Sequence, residues 1–330
     1  MTENINRLFR DQLPEQRIAK IEPLCETRAH TVWKVTADRS VFAVKHHLFA
    51  SLTRGKPYHL LAVEQKVTNH LLASGVSVPR IIATDPDGGL VIYEWCGNHT
   101  LDDICQTADP SPFAPTVINT LCALEKAFYK HRSKFIPHIA PGCSADDLRE
   151  QWHNTTQSLT ETLPSLVRDP NAPDLPSTWE TLVNELSHAP PVIGPTDYNA
   201  RNIACPNPET ATVLELAKIG YDWPERRLVQ YTTSLGAHNP RGHIIALLTP
   251  SLAQYYAHLA SKLYSTPIKT ILLRLDAHHL IYHLFAAHIC LTTPHWQNIK
   301  TRIAQHKNRI AYPLSDHPLT NKFRAYFRQK

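Results

Sequence analysis

The sequence predicts an α+β protein in which a small antiparallel sheet with one helix precedes a larger, mainly helical part. The run VFAVK at 41–45 is β-branched and aromatic, as is typical of a strand. Residues 60–72 carry apolar side chains at the i, i+3, i+4 spacing of an amphipathic helix. The passages 75–84 and 89–95 then predict two further strands, each introduced by a turn residue.

The chain divides at about residue 98 in this interpretation, with the sheet part in 1–98 and the helical part in 99–330. A helix is expected to lead the chain, in residues 1–20. Residues 191–216 are expected to supply short strands inside the helical part. Residues 163–177 contain four prolines and predict a linker or surface loop between helices.

Composition is that of an ordinary globular chain, with 330 residues, 42% of them hydrophobic and 19% charged. No apolar run reaches the roughly 20 residues of a membrane helix, and the N-terminus, MTENINR, has no signal-peptide character. The seven cysteines are scattered and form no C-x-x-C pair, which favours free thiols in a reducing compartment. We expect a cytoplasmic protein without a membrane partner, and the sequence leaves its oligomeric state open.

The net charge of +5 suits an anionic substrate but does not indicate nucleic acid. The most basic stretch is the tail at 321–330, where a terminal helix with a solvated cationic face is the favoured interpretation. No basic stretch interleaved with aromatic residues is present elsewhere. We therefore expect no nucleic-acid partner.

A lysine and a glutamate occur where a nucleotide site needs them. Lys45 ends the strand-like run, and a lysine there can reach the α- and β-phosphates of a nucleotide. Glu64 lies beside the apolar stripe of the predicted helix and can pair with Lys45. The ordinary alternatives are a strand-end lysine and a solvated helix charge.

The segment DYNARN at 197–202 offers an acid and an amide five residues apart. In phosphoryl transfer, an aspartate at the first position accepts the proton of the attacking hydroxyl, and an asparagine at the second holds magnesium. Read alone, the segment is also compatible with an Asx-rich turn, because short polar side chains bond their own backbone. Arg201, inside it, is compatible with a contact to the acceptor or γ-phosphate and equally with a structural salt bridge.

The motifs GVSVPRIIAT at 75–84, GLVIYEW at 89–95 and GNHTL at 97–101 fall in order between Glu64 and the DYNARN segment. In order and spacing, the chain resembles the aminoglycoside phosphotransferase and choline kinase branch of the protein-kinase-like fold. The resemblance covers roughly residues 21–232. It implies a two-lobed fold with a small antiparallel-sheet N-lobe and a mainly helical C-lobe.

The resemblance also implies roles for residues of the N-lobe. Lys45 corresponds to the lysine that anchors the phosphates of ATP, and Glu64 to its ion-pair partner. The backbone from Glu94 to Cys96 corresponds to the hinge that meets the adenine.

In the C-lobe, the resemblance makes Asp197 the catalytic aspartate and Asn202 a magnesium ligand. A second metal-binding acid is expected later in the chain. If 220–224 is aligned to the family's glycine–proline passage, this acid is Glu215, which we prefer because it ends a strand-like run. Asp222, in a turn-like context, is the less favoured alternative. A glutamate can ligate magnesium through oxygen, but its extra methylene moves the ion or the backbone.

Besides Glu215 at the metal position, two departures from the family pattern stand out. The stretch 24–32, which corresponds to the nucleotide loop, contains no glycine, so close backbone approach to a phosphate is harder. The side chains of Thr27, Arg28 and Thr31 are candidate phosphate contacts instead. Pro195 replaces the histidine that usually comes two residues before the catalytic aspartate.

The predicted function is ATP- and Mg²⁺-dependent phosphorylation of a hydroxyl on a small molecule, such as a sugar, an amino alcohol or an aminoglycoside. The alternative is a pseudokinase that binds a nucleotide or a partner without turnover. Activity on protein is disfavoured, because no activation segment follows Glu215.

Histidines supply a further hypothesis. One helical face carries Asp276, His279 and His283, a set that is compatible with a divalent metal site. Because no fourth ligand is evident, we favour the alternative that these residues form a polar stripe of the helix. His46 and His47 follow the strand lysine and are expected at the surface.

Overall fold

A computed structural model describes residues 1–26, 30–47, 52–53, 56–236, 242–293 and 298–327. Its N-terminal part is built around a five-stranded antiparallel sheet with the strand order β1-β2-β3-β7-β6. The elements of this part are α1 (Thr2–Gln12), β1 (Ile18–Glu26), β2 (His30–Ala37), β3 (Ser40–His47), β4 (Leu52–Thr53), β5 (Lys56–Pro57), α2 (Leu60–Ala73), β6 (Ile81–Asp85) and β7 (Leu90–Glu94).

The remainder is mainly helical. Its helices are α3 (Leu101–Thr107), α4 (Ala114–Lys130), α5 (Arg132–Phe135), α6 (Ala145–Leu166), α7 (Leu175–Ser187), α8 (Pro224–Tyr231), α9 (Pro250–Tyr264), α10 (Ile268–Thr292), α11 (Ile299–Ala311) and α12 (Pro318–Ala325). Its short strands are β8 (Val192–Pro195), β9 (Ile203–Asn207), β10 (Thr210–Val213), β11 (Ile219–Asp222), β12 (Thr233–Ser234) and β13 (Ile245–Ala246). Its 3₁₀ turns are Ser111–Phe113, Ile136–His138 and Ala200–Asn202. The fold class predicted from the sequence is confirmed.

The leading helix is shorter than the predicted span of 1–20. It ends at Gln12, and its C-cap residue Leu13 directly precedes Pro14. The helix ends there because a proline disfavours helical backbone in the residue before it. Residues 18–26 form an edge strand of the sheet. The buried side of α1 packs on one face of the sheet, where Phe9 meets Phe42 edge to face at 5.4 Å.

The two faces of the sheet have different partners because side chains alternate along each strand. Val44 and Ile92 lie on the face that α1 covers. Lys45 and Val91 pair directly across β3 and β7 and lie on the other face, against which Leu61 of α2 packs. This second face, which we call the cleft face, carries the lysine predicted for the nucleotide site.

Helix α2 joins the sheet to the helical part. Val67 and Leu71 belong to the same apolar cluster as residues of α4 and of the β9–β10 hairpin. The connection is reinforced at Ser77, whose carbonyl accepts from the Val213 amide at 3.1 Å and whose hydroxyl lies 3.0 Å from that of Thr212. The lobe boundary at 98 stays a prediction, since these contacts cross it.

Strand β8 leads into the DYNARN segment and is anchored by a buried ion pair. Arg227 of α8 donates from Nε and Nη2 to the two carboxylate oxygens of Glu125 on α4, at 2.6 and 3.0 Å. The same guanidinium donates to the Val192 carbonyl of β8. Gly194 permits this approach, because a Cβ atom there would lie 2.6 Å from the Arg227 Cζ.

The predicted proline-rich loop is narrower than 163–177. Helix α6 continues to Leu166 with Pro164 inside it, and α7 begins at Leu175. Burial of Leu163 and Leu166 in a shared apolar cluster with α7 and α10 favours the continued helix, outweighing the local preference of proline.

The predicted metal face of α10 is part of a closed interior network, not a polar stripe. Asp276 is fully buried and pairs with Arg324 of α12, so the tail is not a solvated cationic face throughout. His279 contacts the Arg309 carbonyl at 3.1 Å, and His283 contacts His306 at 3.1 Å. We call these residues the Asp276 cluster: Asp276, His279, His283, His306 and Arg324.

All seven cysteines are free thiols, as the sequence predicts. None of the helices in the described part of the chain has the length and apolarity that a membrane crossing requires.

Candidate active site

Lys45 is the centre of a charged cluster on the cleft face of the sheet. Its ammonium group contacts the Glu215 carboxylate closely and lies 3.8 Å from Glu64 Oε1. Lys45 and Glu64 are almost completely buried, whereas the Glu215 side chain is 21% exposed. The Lys45–Glu64 ion pair predicted from the sequence is therefore present, and Glu64 is not a solvated helix charge.

His47 completes this arrangement, which we call the Lys45 cluster: Lys45, Glu64, His47 and Glu215. His47 lies two residues after Lys45 and on the same face, and its Nε2 donates to Glu64 Oε2 at 2.8 Å. The expectation of a surface histidine is wrong for His47, whose side chain is 2% exposed. His46, on the opposite face, is half-buried. The i, i+2 alternation of a strand is the sequence signal that could have placed His47 beside Glu64.

The charges in the Lys45 cluster hold one another ionised. Burial alone would lower the pKa of Lys45, but Glu215, Glu64 and Asp197 outweigh it and raise the pKa above its usual value. Burial would likewise raise the pKa of Glu64, yet the charge of Lys45 and the hydrogen bond from His47 lower it to about 2. Lys45 and Glu64 thus form a stable ion pair at neutral pH.

The DYNARN segment follows β8 and is shaped by its own side chains. Asp197 is exposed, and its Oδ1 accepts from Asn199 Nδ2 at 3.0 Å. Asn199 Oδ1 accepts from the Arg201 amide at 3.0 Å, which begins the 3₁₀ turn. Asn202 Nδ2 donates to the Asp197 carbonyl at 2.8 Å. The Asx-turn interpretation is therefore correct for the backbone, and it leaves a carboxylate oxygen of Asp197 and the amide oxygen of Asn202 for other ligands.

Backbone hydrogen bonds bring this segment next to Glu215. The Leu214 amide donates to the Asn202 carbonyl at 2.9 Å, and the Thr196 amide donates to the Lys218 carbonyl at 3.1 Å. The predicted magnesium ligands Asn202 and Glu215 consequently lie on neighbouring segments. Asp197 belongs to the same neighbourhood, since its charge acts on the pKa of Lys45.

Asp222 ends strand β11, which runs antiparallel to β8 with Ile219 opposite Pro195 and Asp222 opposite Val192. The Asp222 carboxylate is 5% exposed and receives hydrogen bonds from Arg226 Nη1, at 3.1 and 3.3 Å, and from the hydroxyl of Tyr198 in the DYNARN segment. These partners occupy the Asp222 carboxylate, and the preference for Glu215 as the metal-binding acid stays a prediction.

Glu94 and Cys96 lie at the end of β7 and in the segment that links it to α3. The Glu94 carboxylate is directed to Arg80, accepting from the Arg80 amide at 3.0 Å and from Nη2 at 3.3 Å. Beside them, Lys34 lies over the Trp95 ring at 4.8 Å from its centroid. Only the backbone of 94–96 remains a candidate for contact with an adenine.

Three of the predicted phosphate contacts lie in the glycine-free stretch 24–32. Thr27 and Arg28 lie outside the described residues. Thr31 pairs with His46 across β2 and β3, which puts it on the face that α1 covers and not on the face of Lys45. Pro195 is buried in β8 opposite Ile219.

The donor set of Asn202 and Glu215 fits magnesium. Mg²⁺ is usually held by one or two protein oxygen ligands together with substrate phosphates and water, and these two side chains supply an amide and a carboxylate oxygen. Within the residues that the structure describes, no group of three or more His, Cys, Asp or Glu side chains is arranged to hold a metal ion without a substrate. The face with Asp276, His279 and His283 is included in that statement.

No protein-family model and no curated protein matches the sequence. Solved structures do match. The GDP complex of aminoglycoside 2'-phosphotransferase-IIIa superposes with a TM-score of 0.59 at 10% identity, over 93% of this chain and 97% of that chain. Macrolide 2'-phosphotransferase MphH from Brachybacterium faecium superposes with a TM-score of 0.58 at 10% identity, over 92% and 96% of the two chains. A complex of the first enzyme with GDP and kanamycin gives a TM-score of 0.56.

These matches extend over nearly the whole length of the chains compared. At such low identity they establish the fold, which is the two-lobed kinase-like fold of the antibiotic phosphotransferases. The family resemblance found in the sequence is confirmed at this level.

Proposed function

We propose that this protein is a phosphotransferase that moves the γ-phosphate of ATP to a hydroxyl of a small molecule. The observation that carries the proposal is the Lys45 cluster. A buried lysine is held between Glu64 and the half-open Glu215, and Asp197 and Asn202 lie on the adjoining segment. The proposed lobes are residues 1–98 and 99–330, with the nucleotide between them.

Lys45 would exchange one anionic partner for another. Glu64 is fixed by His47 and stays in place, whereas Glu215 is partly exposed and is the partner that phosphate oxygens can replace. The released Glu215 carboxylate, together with Asn202, would hold the magnesium ion. When bound, that ion neutralises phosphate charge and orients the transferred group.

Asp197 would accept the proton of the acceptor hydroxyl. The hydroxyl oxygen forms a bond to the γ-phosphorus, the bond from that phosphorus to the β,γ-bridging oxygen breaks, ADP leaves, and the proton passes to the carboxylate. Asn199 holds one oxygen of Asp197 at 3.0 Å and so fixes the orientation of the other. Positioning and charge stabilisation would supply most of the rate enhancement.

Two parts of the proposal come from the structural neighbours. The kanamycin complex of the aminoglycoside enzyme supports a hydroxyl-rich small acceptor, such as a sugar, an amino alcohol or an aminoglycoside. The GDP complexes make GTP an alternative donor that belongs in every assay beside ATP. The free, scattered thiols support a cytoplasmic setting.

The glycine-free stretch and Pro195 favour a second candidate, a pseudokinase that binds nucleotide without turnover. A screen of small hydroxyl compounds for ATP and GTP consumption separates the two. Asp197→Ala should reduce the transfer rate by about a thousandfold while leaving nucleotide binding intact, because the aspartate contacts the acceptor. Binding without consumption across the whole screen would favour the pseudokinase.

Magnesium dependence tests the metal ligands in the absence of an acceptor. Magnesium added with nucleotide should raise the melting temperature beyond nucleotide alone, since a ligand of the folded state stabilises it by mass action. Glu215→Ala should cancel the magnesium-dependent part, and Glu209→Ala, an exposed carboxylate between β9 and β10, is the matched control. If Asp222→Asn cancels it and Glu215→Ala does not, the assignment of Glu215 is wrong.

A further inference from the structure

His30 is the first residue of β2, directly after the connection that lies outside the described residues. Across β2 and β3, His30 pairs with His47 and Val32 pairs with Lys45. Directly paired residues share a face of an antiparallel sheet, and so do residues two apart on one strand. His30 therefore lies on the cleft face with Lys45, at the end of the sheet where the lysine is found.

The groups around His30 come from separate parts of the chain. Lys45 and His47 are on β3, Glu215 follows β10, and Asp197 follows β8, and all four groups influence the pKa of the His30 imidazole. Burial, and then the charge of Lys45, lowers the pKa of the half-buried His30. Its electrostatic neighbours are thus the lysine, the metal-binding acid and the base of the proposed site.

His47, on the same face, is buried, and its Nε2 is bonded to Glu64, so it supports the ion pair. His30 is half-buried at the rim of the same face. An imidazole N–H there can donate to an anionic oxygen that also contacts Lys45.

We propose that His30 binds the terminal phosphates of the nucleotide opposite Lys45, replacing the backbone amides that a glycine-rich loop would supply. The inference rests on the proposed function. It explains how the terminal phosphates can be bound although residues 24–32 contain no glycine. A backbone amide can bind a phosphate only if the backbone approaches it closely, which Cβ atoms hinder. A histidine side chain is longer and carries a hydrogen-bond donor at its end, so it can bind a phosphate that lies farther from the backbone.

The test compares nucleotides that differ only in their phosphates. Calorimetric titration would measure ATP, GTP and AMP binding, with magnesium, to the wild type, His30→Ala and His30→Gln. His30→Ala should weaken triphosphate binding about tenfold, the usual effect of one hydrogen bond to a charged group, and leave AMP binding within about twofold. His30→Gln keeps a donor and should fall between the two.

His46→Gln is the matched control. His46 is on the neighbouring strand and half-buried like His30, but it lies on the opposite face of the sheet. It should bind every nucleotide as the wild type does. Circular dichroism would establish that each variant is folded.

The outcomes distinguish an error in the proposed function from an error in the role of His30. If the wild type binds neither ATP nor GTP, the proposed function is wrong. If the wild type binds and His30→Ala binds the triphosphate equally well, the role of His30 is wrong and the proposed function stands. An equal loss for AMP and ATP also overturns the role, because His30 would then act on the nucleoside or the fold.

A measurement on the wild type decides the matter if the variants do not fold. Diethyl pyrocarbonate modifies accessible histidines, and trypsin places His30 in the peptide 29–34, apart from His46 and His47 in the peptide 46–54. Magnesium with ATP should slow modification of His30, and AMP should not. Equal rates with and without ATP, under conditions where ATP binds, would overturn the proposal.

Discussion

Two buried charge networks in this protein are built from similar residues and differ in how completely they are closed. In the Asp276 cluster, the carboxylate accepts from the Leu314 amide at 2.9 Å, the Ser315 hydroxyl at 3.0 Å and the Arg324 guanidinium. Asp276 and Arg324 have no exposed side-chain surface. Each oxygen is satisfied by the protein itself.

The Lys45 cluster is open at one side. One ammonium group serves two carboxylates, and the nearer of them, Glu215, is partly exposed. Only Glu64 is fixed from behind, by His47. The closed network holds helices together, whereas the shared and half-open one contains the carboxylate, Glu215, that we propose a ligand replaces.

The largest effect is expected from breaking the closed network. Asp276→Asn preserves shape but leaves Arg324 buried without a countercharge, so the free energy of unfolding should fall by about 3–5 kcal/mol. Chemical denaturation with tryptophan fluorescence would measure it. Nucleotide binding by the folded fraction should be unchanged.

The control for Asp276→Asn is a solvent-exposed ion pair on α12, the helix that carries Arg324. Lys322 of α12 pairs with Asp174 at 2.9 Å, and both side chains are more than half exposed. Asp174→Asn should leave the free energy of unfolding unchanged within error, since exposed pairs contribute little. A comparable loss in the two variants would contradict the distinction between closed and solvated pairs.

Acid should weaken the Asp276 cluster at a higher pH than the Lys45 cluster. Burial lowers the pKa of His279 from 6.5 to about 4 and that of His306 from 6.5 to about 3. Below pH 6.5 the unfolded chain therefore binds protons that the folded chain excludes. Each histidine then lowers the free energy of unfolding by about 1.4 kcal/mol for every unit by which the pH decreases.

The contribution of Glu64 to stability depends on pH in the direction that is usual for a carboxylate. Its pKa is lowered from 4.5 to about 2, so its contribution is present above pH 4.5 and is lost as the pH falls toward 2. Urea unfolding of the wild type and of His306→Gln at a series of pH values between about 7 and 4 isolates the histidine contribution, because the opposite contribution of Glu225, whose pKa burial raises to about 7, is common to both proteins. His306→Gln should flatten the slope, and equal slopes in the two proteins would contradict the assignment.

The smallest effect on stability is expected from opening the Lys45 cluster further. Lys45→Met leaves Glu64 bonded to His47 and frees Glu215 to solvent, so the loss should be about 1–2 kcal/mol, less than a fully buried pair would cost. Nucleotide binding, measured by calorimetry, should nevertheless be lost.

Lys20→Met, at an exposed lysine of β1, is the control and should change neither property. A stability loss for Lys45→Met as large as that for Asp276→Asn would show that the two networks are equally closed. The replaceable role of Glu215 would then need another explanation.

The prediction from sequence succeeded where the signal is local. The strand at Lys45, the helix that carries Glu64 and the turn that carries Asp197 and Asn202 follow from spacing and residue type. Their order along the chain was sufficient to identify the fold. The predicted end of α1 was wrong, although Pro14 is a local signal for it. The predicted proline-rich loop began too early, because burial of Leu163 outweighs the local preference of Pro164.

The sequence favours Glu215 over Asp222 as the metal-binding acid, and the strand register adds where each residue lies. Asp222 ends β11 and is paired with Val192 of β8, whereas Glu215 precedes β11 and contacts Lys45. Register depends on backbone hydrogen bonds between segments that are distant in sequence. Spacing alone does not contain that information.

Periodicity and turn preferences act over a few residues, so the sequence was enough to predict the elements, their order and the Lys45–Glu64 pair. The other charge contacts became visible only in the folded structure. Asp276 and Arg324 are joined across α10 and α12, His47 turns inward to Glu64, and His30 shares the cleft face with Lys45. Ion pairs and shared sheet faces are formed between segments far apart in the chain, so the folded arrangement alone sets their partners.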